Sequence, residues 1–516
     1  MPPSSFFLPR VAPFITSLIA PFQTTKGISA RLLFLFIGVN SLVLLNVILH
    51  APDANYDGKE HFRYIETIAN GRLPNFEDSE EFFSPPLPYL LPAQVLQAES
   101  SSMWAAAKWG QVLNVILSIG VTYTLLKICN LLHPGDEGLK LAALGMLGIL
   151  PVYYKTFSMA RGEPFVAFFS ILGTCLVLYL FLSNSAVPPL KSRRRILIGI
   201  ILGVCLGLGV LSRQWGFFLF PALAVFVLLL KLKIPWSQWL PSSGILILSF
   251  VIAFAVGGWF YLSLLGRYGT VAAFNRPSEA AFTLANQPPK FYFSLGLDQL
   301  FSHPIRPVFS NQFIPIFYSE LWGDYWGYFL IVGRDIRYNQ FLVGSFQQPL
   351  WEQNPPVKWF VTNKFDVTPY LGRVNFVSLL PSALFLAGFG LGILHLARFL
   401  RQKPDPPLTG NTLIILIILA SMAGYFWFLV RYPALDKGDT IKASYMLHLY
   451  PFLAILSGQV LQKIKTASPL VGRITVLLLF VILLHNLPAM VTRYIPWDRL
   501  AYYPPFRWMT VYLPWQ

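Results

Sequence analysis

The chain has 516 residues, of which 55% are hydrophobic and 12% are charged, and its mean hydropathy is +0.56. Soluble domains carry roughly 25% charged residues, so the composition excludes a soluble domain and indicates an all-α polytopic membrane protein. The net charge of +16 does not indicate a nucleic-acid partner, because the basic residues flank hydrophobic runs and form no soluble basic face. Cys129, Cys175 and Cys205 lie in or beside apolar runs without the spacing of metal ligands, so they predict neither a metal site nor a disulfide framework.

About eleven apolar runs have the length of a membrane-spanning helix, which needs roughly 17–25 residues. The third run is short and the fifth and sixth are nearly continuous, so this count depends on treating each as a separate span. No cleavage pattern accompanies the first run and acidic sequence follows it, so we expect an uncleaved anchor. The runs cover residues 32–49, 104–126, 139–154, 164–182, 196–212, 215–232, 244–265, 374–397, 412–430, 443–461 and 474–490.

The distribution of charge along the chain predicts the orientation of these spans. If the N-terminus lies inside the cell, every inner connection carries lysine or arginine, as the positive-inside rule requires. We therefore predict a multi-pass protein of the cytoplasmic or plasma membrane, with its N-terminus inside and its C-terminus outside. The first outer segment, residues 50–103, is instead rich in acidic residues: Asp53, Asp57, Glu60, Glu66, Glu77, Asp78, Glu80, Glu81 and Glu99.

Two outer segments are too long to be simple connections. Residues 50–103 form the first, and residues 266–373 form the second, which is rich in aromatic residues and prolines. Segments of this length are uncommon unless they have a function. Residues 1–490 are predicted to form one transmembrane domain that includes both segments. A short outer tail, residues 491–516, is predicted to pack at the membrane interface through its tryptophans. These are Trp497, Trp508 and Trp515.

The first outer segment is predicted to contain a short amphipathic helix. Phe62, Ile65 and Ile68 recur at every third position, as on one face of a helix. Gly71 is typical of the residue that follows a helix, and Pro74 cannot continue one. We expect this helix to lie on the outer surface of the membrane.

Asp57 precedes this helix and has two interpretations. Asp57 and Glu60 have the spacing of a capping box, with Asp in place of Ser or Thr. A carboxylate held at a helix start beside the membrane is also positioned as a general base must be. The two roles are compatible, and the residues alone leave both open. Nearby, His61 is typical of a hydrogen-bonding surface histidine, and the proline pair at 85–86 begins the segment that presents Tyr89.

A series of short motifs runs through the first outer segment: Asp57, His61-Phe62, Tyr64-Ile65, Gly71-Arg72-Leu73-Pro74 and Pro85-Pro86-Leu87-Pro88-Tyr89. It resembles the same segment of the type C glycosyltransferases, which take sugars from polyprenyl-phosphate carriers. That family includes the protein O-mannosyltransferases and the aminoarabinose transferases of lipid A. Its segment typically reads Asp-Glu-x-x-His-Phe, then Tyr-Ile, a Gly-x-Leu-Pro and later a Pro-Pro-Leu-Tyr-Tyr.

Further motifs spread the resemblance along most of the chain. One opens the fourth apolar run, and another lies between the fifth and sixth, where the family often has a basic residue before glycine. A third resembles a Trp-Gly-rich outer segment of bacterial members, and the last resembles a basic-x-x-Tyr-x-Leu segment that opens a late span. These motifs are Arg161-Gly162-Glu163, Leu211-Ser212-Arg213-Gln214-Trp215-Gly216, Glu320-Leu321-Trp322-Gly323-Asp324-Tyr325-Trp326-Gly327-Tyr328, and Lys442-Ala443-Ser444-Tyr445-Met446-Leu447 with Pro451.

The resemblance implies a type C glycosyltransferase fold for residues 1–490 and a reaction at the outer face. An acceptor nucleophile on a glycan, lipid or protein attacks the anomeric carbon of a lipid-phosphate sugar with inversion, and polyprenyl phosphate leaves. Asp57 would take the acceptor's proton as general base. Gly58 stands where the family has a second carboxylate, which argues against a two-carboxylate or metal-dependent mechanism. No metal site is assigned, and a bound divalent cation is the alternative.

The leaving phosphate develops negative charge, so cations near the outer ends of the spans are expected to bind it. Arg213 lies between two apolar runs, where a charged residue is functional by default unless it extends to the headgroups. Glu163 either positions substrate or pairs with Arg161, and the aromatic segment around Glu320 and Asp324 contacts sugar or forms an interfacial belt. The candidate substrate-binding residues are Glu60, His61, Tyr89, Arg161, Glu163, Arg213, Glu320, Asp324, Arg431, Lys442 and Tyr445, with Lys155 as a further cation.

Three other classes of membrane protein remain as alternatives, one of which is a non-enzymatic membrane scaffold. A transporter or lipid flippase would place polar residues along a path through its spans, and Lys108, Gln111 and Asn114 are polar residues within the second run. A lipid-linked glycan polymerase or ligase would share the substrates and the location, with catalytic residues in late outer loops. The concentration of polar residues in the outer segments favours the transferase.

Overall fold

The computed structural model describes residues 20–24, 27–98, 102–182, 192–233, 236–275, 281–330, 367–403 and 405–495. Within these ranges the regular structure is helical apart from one small antiparallel hairpin, β1 (Gln23–Thr24) and β2 (Gly27–Ile28). The tryptophans of the predicted interfacial tail, Trp497, Trp508 and Trp515, lie outside the described residues.

The helices are numbered here in chain order. They are α1 (Ala30–Leu49), α2 (Gly58–Ala69), α3 (Leu87–Ala98), α4 (Met103–Leu132), α5 (Glu137–Gly148), α6 (Pro151–Phe157), α7 (Glu163–Leu182), α8 (Ser192–Val210), α9 (Leu219–Lys231), α10 (Trp236–Ala253), α11 (Trp259–Tyr268), α12 (Pro289–Phe293), α13 (Leu297–Leu300), α14 (Phe313–Trp322), α15 (Val367–Val377), α16 (Leu379–Arg401), α17 (Pro406–Arg431), α18 (Tyr450–Ala467) and α19 (Pro469–Asn486). Short 3-10 helices cover Ala20–Phe22, Gln214–Phe218, Leu284–Asn286, Ala443–Leu449 and Leu487–Met490, and a π-helical turn covers Phe254–Gly258.

Eight helical segments among the described residues are long and apolar enough to cross a membrane. The chain is therefore an integral membrane protein. The predicted count of eleven spans is not confirmed. The eight segments are Ala30–Leu49, Met103–Leu132, Glu163–Leu182, Gln214–Lys231, Ser243–Tyr268, Leu379–Arg401, Pro406–Arg431 and Pro469–Met490.

The other three predicted spans form helices that are interrupted or carry charge. Residues 139–154 divide between α5 and α6 at Pro151, because proline cannot donate the backbone bond that would continue the first helix. Residues 443–461 begin as a 3-10 helix and continue as α18. α8 carries a run of three arginines at 193–195 near its start, so its apolar part is shorter than its length suggests.

Two helices approach each other closely through glycines. A Cβ atom on Gly203 of α8 would lie 2.7 Å from the Cβ of Ile252, and one on Gly207 would lie 2.6 Å from the Cβ of Val256. Separations this short exclude any larger residue at these two positions, and small residues are what allow membrane helices to pack backbone to backbone. The packing fixes the end of α8, which directly precedes Arg213.

Polar residues within α4 bind backbone carbonyl groups. The side chains of Lys108, Gln111 and Asn114 donate to carbonyl oxygens at the end of α1 and just after α6, at 2.7–2.8 Å for the shortest bond of each. In a membrane protein, backbone groups outside a helix need hydrogen-bond partners of this kind, because lipid provides none. These bonds account for the three polar residues without a transport path, and they hold the loop between α6 and α7, which carries Arg161.

A helix forms where the spacing of Phe62, Ile65 and Ile68 predicts one. It is α2, which ends at Ala69, and Gly71 follows it with a φ of 79°. Ile65 is buried, whereas Phe62 and Ile68 are partly buried and pack against the same small cluster. The buried face of α2 packs on α3 and on the beginning of α4.

The two long outer segments meet at one end of the helix bundle, which we call the loop end. α2 contacts α3 through Tyr64 and Tyr89, whose stacked ring centroids are 4.1 Å apart. Tyr56 of the first segment and Tyr328 of the second have ring centroids 4.9 Å apart. α14 of the second segment also packs on α6 and on the 3-10 helix Ala443–Leu449. The loop end therefore joins residues that are distant in the chain.

Candidate functional site

A cavity of about 320 Å³ lies at the loop end, and we call it the polar cavity. Its walls come from three separate parts of the chain: the residues around α2, the second outer segment and the connection between α17 and α18. Among the residues that line it are Tyr56, Asp57, Glu81, Trp326, Lys442 and Tyr445. Carboxylates, cations and aromatic rings thus share one open cavity.

Asp57 faces this cavity in a backbone conformation that is unusual for its residue type. Its φ is 56°, and among the described residues only Asp57 and Asn311 combine a side chain with a positive φ. Its carboxylate makes no capping bond to α2, although its backbone carbonyl begins the helix. The Oδ2 atom instead lies 3.4 Å from the ammonium of Lys442, and the Asp57 side chain is 49% exposed. Of the two interpretations, side-chain capping is therefore wrong.

Glu60 does not complete a capping box either. Its carboxylate pairs with Arg63 at 2.8 Å and accepts a bond from the backbone N–H of Glu80 at 2.9 Å. Glu60 is not among the residues that line the cavity. It fixes the turn that follows α2 against the helix.

The pKa of Asp57 is lowered by the charges around it. Burial acts to raise this pKa, and Glu81 adds to that effect, but the ammonium of Lys442 outweighs both with help from Arg161. Asp57 is therefore ionised at neutral pH. Its ionised form is the one that can accept a proton.

Glu81 is a second carboxylate of the cavity that sequence reasoning did not single out. It is 4% exposed, its Oε2 lies 2.8 Å from Nη1 of Arg213, and it accepts a hydrogen bond from Ser84. Burial acts to raise the pKa of Glu81, but Arg213 lowers it well below its ordinary value. The sequence offers nine acidic residues in this segment, and only the fold shows which of them is buried beside a cation.

Three cations surround the ring of Tyr445. The Cζ atoms of Arg161 and Arg213 lie 5.7 and 6.0 Å from its centroid, and Nζ of Lys442 lies 5.4 Å from it. The Tyr56 ring contacts two of them, at 4.9 Å from Arg161 and 4.8 Å from Lys442. Such contacts hold cations in place through the negative face of each ring. The cluster draws its members from three loops that only the fold brings together.

The three cations differ in how many donors are already used. Arg213 pairs through Nη1 with Glu81 and through Nε with Glu163 at 3.3 Å. Arg161 binds both oxygens of Glu163 at 3.1 Å through Nε and Nη2, and its buried Nη1 has no hydrogen-bond partner among the described residues. Lys442 has one long ion pair, to Asp57. Lys442 therefore keeps donors that face the polar cavity, Arg161 keeps one buried donor although it lines neither cavity, and Arg213 orients the two glutamates.

Glu320 and Asp324 lie behind the cavity wall. Glu320 is fully buried, accepts a bond from the Tyr56 hydroxyl and pairs with Lys155 at 2.5 Å. The Asp324 carboxylate accepts bonds from the backbone N–H groups of Phe329 and Leu330 at 2.8 and 2.6 Å. Both therefore support the wall, and the residues of this segment that reach the cavity are Tyr325, Trp326 and Tyr328.

His61 and Tyr89 form a buried pair beside Asp57. Nδ1 of His61 lies 2.8 Å from the Tyr89 hydroxyl, and His61 is 2% exposed, so the expectation of a surface histidine is wrong. Burial lowers the pKa of His61 to about 4, which leaves the ring neutral at pH 7. Neither residue lines the polar cavity, and Arg431, at the end of α17, does not line it either.

A second cavity of about 290 Å³, the apolar cavity, adjoins the first. It is lined mainly by apolar residues of the 3-10 helix Gln214–Phe218, of the end of α17 and of residues 271–274, and Arg213 is the charged residue in its wall. Phe83, Phe274 and Tyr445 line both cavities. Of the other lining residues, Phe217, Val271 and Trp427 are 40–49% exposed. The apolar cavity therefore connects the cation cluster with the surface of the membrane-spanning helices.

Within the described residues, no group of three or more His, Cys, Asp or Glu side chains could hold a metal ion. Asp57 and Glu81 each face a cation.

Protein-family models and curated proteins give no match to this sequence. Among solved structures, the chain is similar to the oligosaccharyltransferase of Archaeoglobus fulgidus in a complex with Zn and sulfate, with a TM-score of 0.49 and 13% identity over 94% of this chain and 56% of that one. A complex of the oligosaccharyltransferase AglB from the same archaeon with an inhibitory peptide and a dolichol-phosphate gives a TM-score of 0.46 and 12% identity over 94% of this chain and 60% of that one.

ArnT from Cupriavidus metallidurans bound to undecaprenyl phosphate gives a TM-score of 0.35 and 12% identity over 90% of this chain and 76% of that one. The chain spans little more than half the length of the archaeal oligosaccharyltransferase. With TM-scores below 0.5, functional conclusions for this chain have to rest on the geometry of its own cavities.

Proposed function

We propose that the chain is an integral membrane glycosyltransferase that moves a sugar from a polyprenyl-phosphate donor to an acceptor hydroxyl at the loop end. The acceptor is a glycan, a lipid or a protein, and the transfer inverts the anomeric carbon. One observation carries this proposal: a polar cavity that holds Asp57 and Lys442 adjoins an apolar cavity that holds Arg213, and both share Tyr445.

The apolar cavity suits the isoprenoid chain of such a donor. Its wall is almost entirely aromatic or aliphatic, and its exposed members Phe217, Val271 and Trp427 lie where the membrane-spanning helices α9 and α17 meet the loop end. Burial of apolar chain stabilises binding by about 0.8 kcal/mol per CH₂. A lipid donor would thus enter from the bilayer and place its polar end near Tyr445.

The cation cluster suits the phosphate of the donor. Arg161 Nη1 and the Lys442 ammonium keep unused donors beside Tyr445, and charge-assisted bonds to phosphate are about twice as strong as neutral ones. The phosphate gains negative charge as the bond from the anomeric carbon to its bridging oxygen breaks. Fixed cations at that position stabilise the transition state.

Asp57 would act as the general base. The acceptor oxygen forms a bond to the anomeric carbon, its proton moves to the Asp57 carboxylate, and the electron pair of the breaking bond leaves with the phosphate. Lys442 makes Asp57 a weak base because it lowers the pKa of that carboxyl. A bound phosphate would pair with the Lys442 ammonium and weaken its effect on Asp57. The pKa of Asp57 would then rise when the donor is present, which makes Asp57 a stronger base.

Incubation of the purified chain with polyprenyl-phosphate sugars and hydroxyl acceptors tests the proposal. We expect release of polyprenyl phosphate, and we expect Asp57→Asn to lower turnover by about 10²–10⁴-fold, the range for loss of a general base, while donor binding persists. Glu66→Gln removes an exposed carboxylate from α2, the helix that Asp57 precedes, and serves as the control. An active Asp57→Asn variant would exclude Asp57 as the base, and absence of release by the native chain with every donor would overturn the function.

A further inference from the structure

The half-buried Arg306 lines the polar cavity, but its pairing differs from that of four buried cations at the loop end. Lys155, Arg161, Arg213 and Lys442 each pair with a carboxylate. Within the part of the chain that the structure describes, Arg306 pairs with none. Its Nε and Nη2 atoms are buried and have no hydrogen-bond partner there. Buried polar atoms without a partner are rare, and each one calls for an explanation.

The two atoms without partners form one edge of the guanidinium. The same edge of Arg161 binds both oxygens of Glu163 at 3.1 Å. This edge matches the two oxygens of a carboxylate or a phosphate, which a lysine ammonium cannot do in two parallel bonds. The unpartnered edge of Arg306 therefore has the geometry of an oxyanion site.

Aromatic residues with fixed positions surround this arginine. Its Cζ lies 5.7 Å from the ring centroid of Trp326 and 5.5 Å from that of Tyr328. The indole N–H of Trp326 donates to the carbonyl oxygen of Ile441 at 2.9 Å, and the backbone N–H of Arg306 donates to Tyr325 at 3.1 Å. These contacts fix the backbone of Arg306 and the rings beside it. The guanidinium can therefore reach a ligand only through rotation of the Arg306 side chain, within the cavity that it lines.

Arg306 is separated from the cation cluster by a pair of rings. Lys442 contacts the Tyr56 ring at 4.8 Å, Tyr56 contacts Tyr328 at 4.9 Å, and Tyr328 contacts Arg306 at 5.5 Å. Arg306 lines the polar cavity and not the apolar one. The rings of Tyr56 and Tyr328 thus lie between Lys442 and Arg306, which favours a second anionic group at Arg306 over the phosphate held beside Tyr445.

We propose that Arg306 binds a phosphate or carboxylate group carried by the acceptor. This inference rests on the proposed function, because the donor's phosphate is assigned there to Arg161 and Lys442. The acceptor is then an acidic molecule, with its reacting hydroxyl toward Asp57 and its anionic group on the far side of Tyr328.

Binding to the donor-free protein tests the inference without any turnover. Three short probes share one sugar: butyl glucoside, its 6-phosphate and butyl glucuronide. Calorimetry on the purified full chain should show both acidic probes binding about 10-fold or more tightly than butyl glucoside, as expected for a charge-assisted pair. Arg306→Gln should remove this preference and Arg306→Lys should keep part of it. Arg267→Gln, at an exposed arginine outside both cavities, should leave it unchanged.

Transfer kinetics separate this inference from the proposed function. With a polyprenyl-phosphate sugar as donor, Arg306→Gln should raise the acceptor KM for the acidic probes about 10-fold while kcat, the donor KM and the KM for butyl glucoside stay within about twofold. Equal affinity of the native chain for acidic and neutral probes, or a preference that survives Arg306→Gln, would overturn the inference even if transfer occurs. Absence of transfer with a preserved, Arg306-dependent preference would instead overturn the donor chemistry alone.

Discussion

The carboxylate of Asp57 lies 3.4 Å from the ammonium of Lys442, although 385 positions separate the two residues in the chain. Lys442 also touches the rings of Tyr56 and Tyr445. One ammonium thus contacts the proposed base and both rings that hold the arginine of the phosphate site. This arrangement couples the charge of the donor to the basicity of Asp57.

Replacement of Lys442 by glutamine is expected to change the pH dependence of transfer. Asp57 has a lowered pKa chiefly because of Lys442, so it loses its activity as a base only when the pH falls below the ordinary aspartate range of about 4. Without the ammonium, burial and Glu81 raise the pKa of Asp57, and the acid limb of kcat/KM moves to higher pH. Rates measured from pH 4 to 8 would show the shift.

The same variant should bind the donor more weakly. Loss of a charge-assisted bond to phosphate raises the donor KM by about 10- to 100-fold. Lys59→Gln, an exposed lysine on α2, is the matched control and should alter neither quantity. An acid limb that stays in place in Lys442→Gln would show that Asp57 is not the titrating group.

Tyr56 is expected to act through its ring. Tyr56→Phe removes a hydrogen bond to Glu320 and keeps the face that contacts Arg161 and Lys442. It should lower stability by about 1 kcal/mol and leave the donor KM within about twofold. Tyr56→Leu removes the ring and should raise the donor KM about 5-fold or more. Thermal unfolding in detergent and initial rates measure the two effects, and equal donor KM values for both variants would contradict a role of the ring.

The fold follows from the sequence where an apolar run is continuous. The first and fourth runs form α1 and α7 with bounds that agree within two residues, and the second and ninth form α4 and α17, each of which is six residues longer at one end. The third run did not predict its break at Pro151, because a proline is compatible with both a kinked span and two helices. The lengths of apolar runs therefore give the architecture but not the loops that carry Arg161 and Lys442.

The site was only partly predictable. Local motifs point to Asp57, Arg161 and Lys442 because each stands in a polar or special context beside an apolar run. α2 buries the face that carries residues 61, 64 and 65. Glu60 precedes residue 61 and therefore points about 100° away from it around the helix axis, which places Glu60 away from the cavity. Arg306 carries no signal in the sequence, since its lack of a partner is a property of the fold.

Arg213 is expected to affect stability more than donor binding. Its guanidinium binds Glu81 and Glu163, both buried, and removal of one partner from a buried ion pair costs about 3–5 kcal/mol. Arg213→Leu should therefore lower the unfolding temperature strongly. Adding Glu81→Leu should recover part of the loss, because the double variant no longer buries that carboxylate alone. Thermal unfolding of Arg213→Leu, of Glu81→Leu and of the double variant in one detergent measures the coupling, and additive losses would show that the pair does not interact.

The apolar cavity should select donors by the length of their isoprenoid chain. Ala273 lines this cavity and not the polar one, so Ala273→Phe fills space without touching Asp57 or Lys442. Each buried CH₂ contributes about 0.8 kcal/mol, so a long-chain donor that loses contact with several methylene groups should have its KM raised about 10-fold or more. A donor with a single isoprenoid unit needs little of the cavity and should be affected less than about threefold. Leu262→Phe, at a position that is 52% exposed on α11, serves as the control. Rates with donors of graded length measure the selection, and an equal effect of Ala273→Phe on short and long donors would place the lipid chain elsewhere.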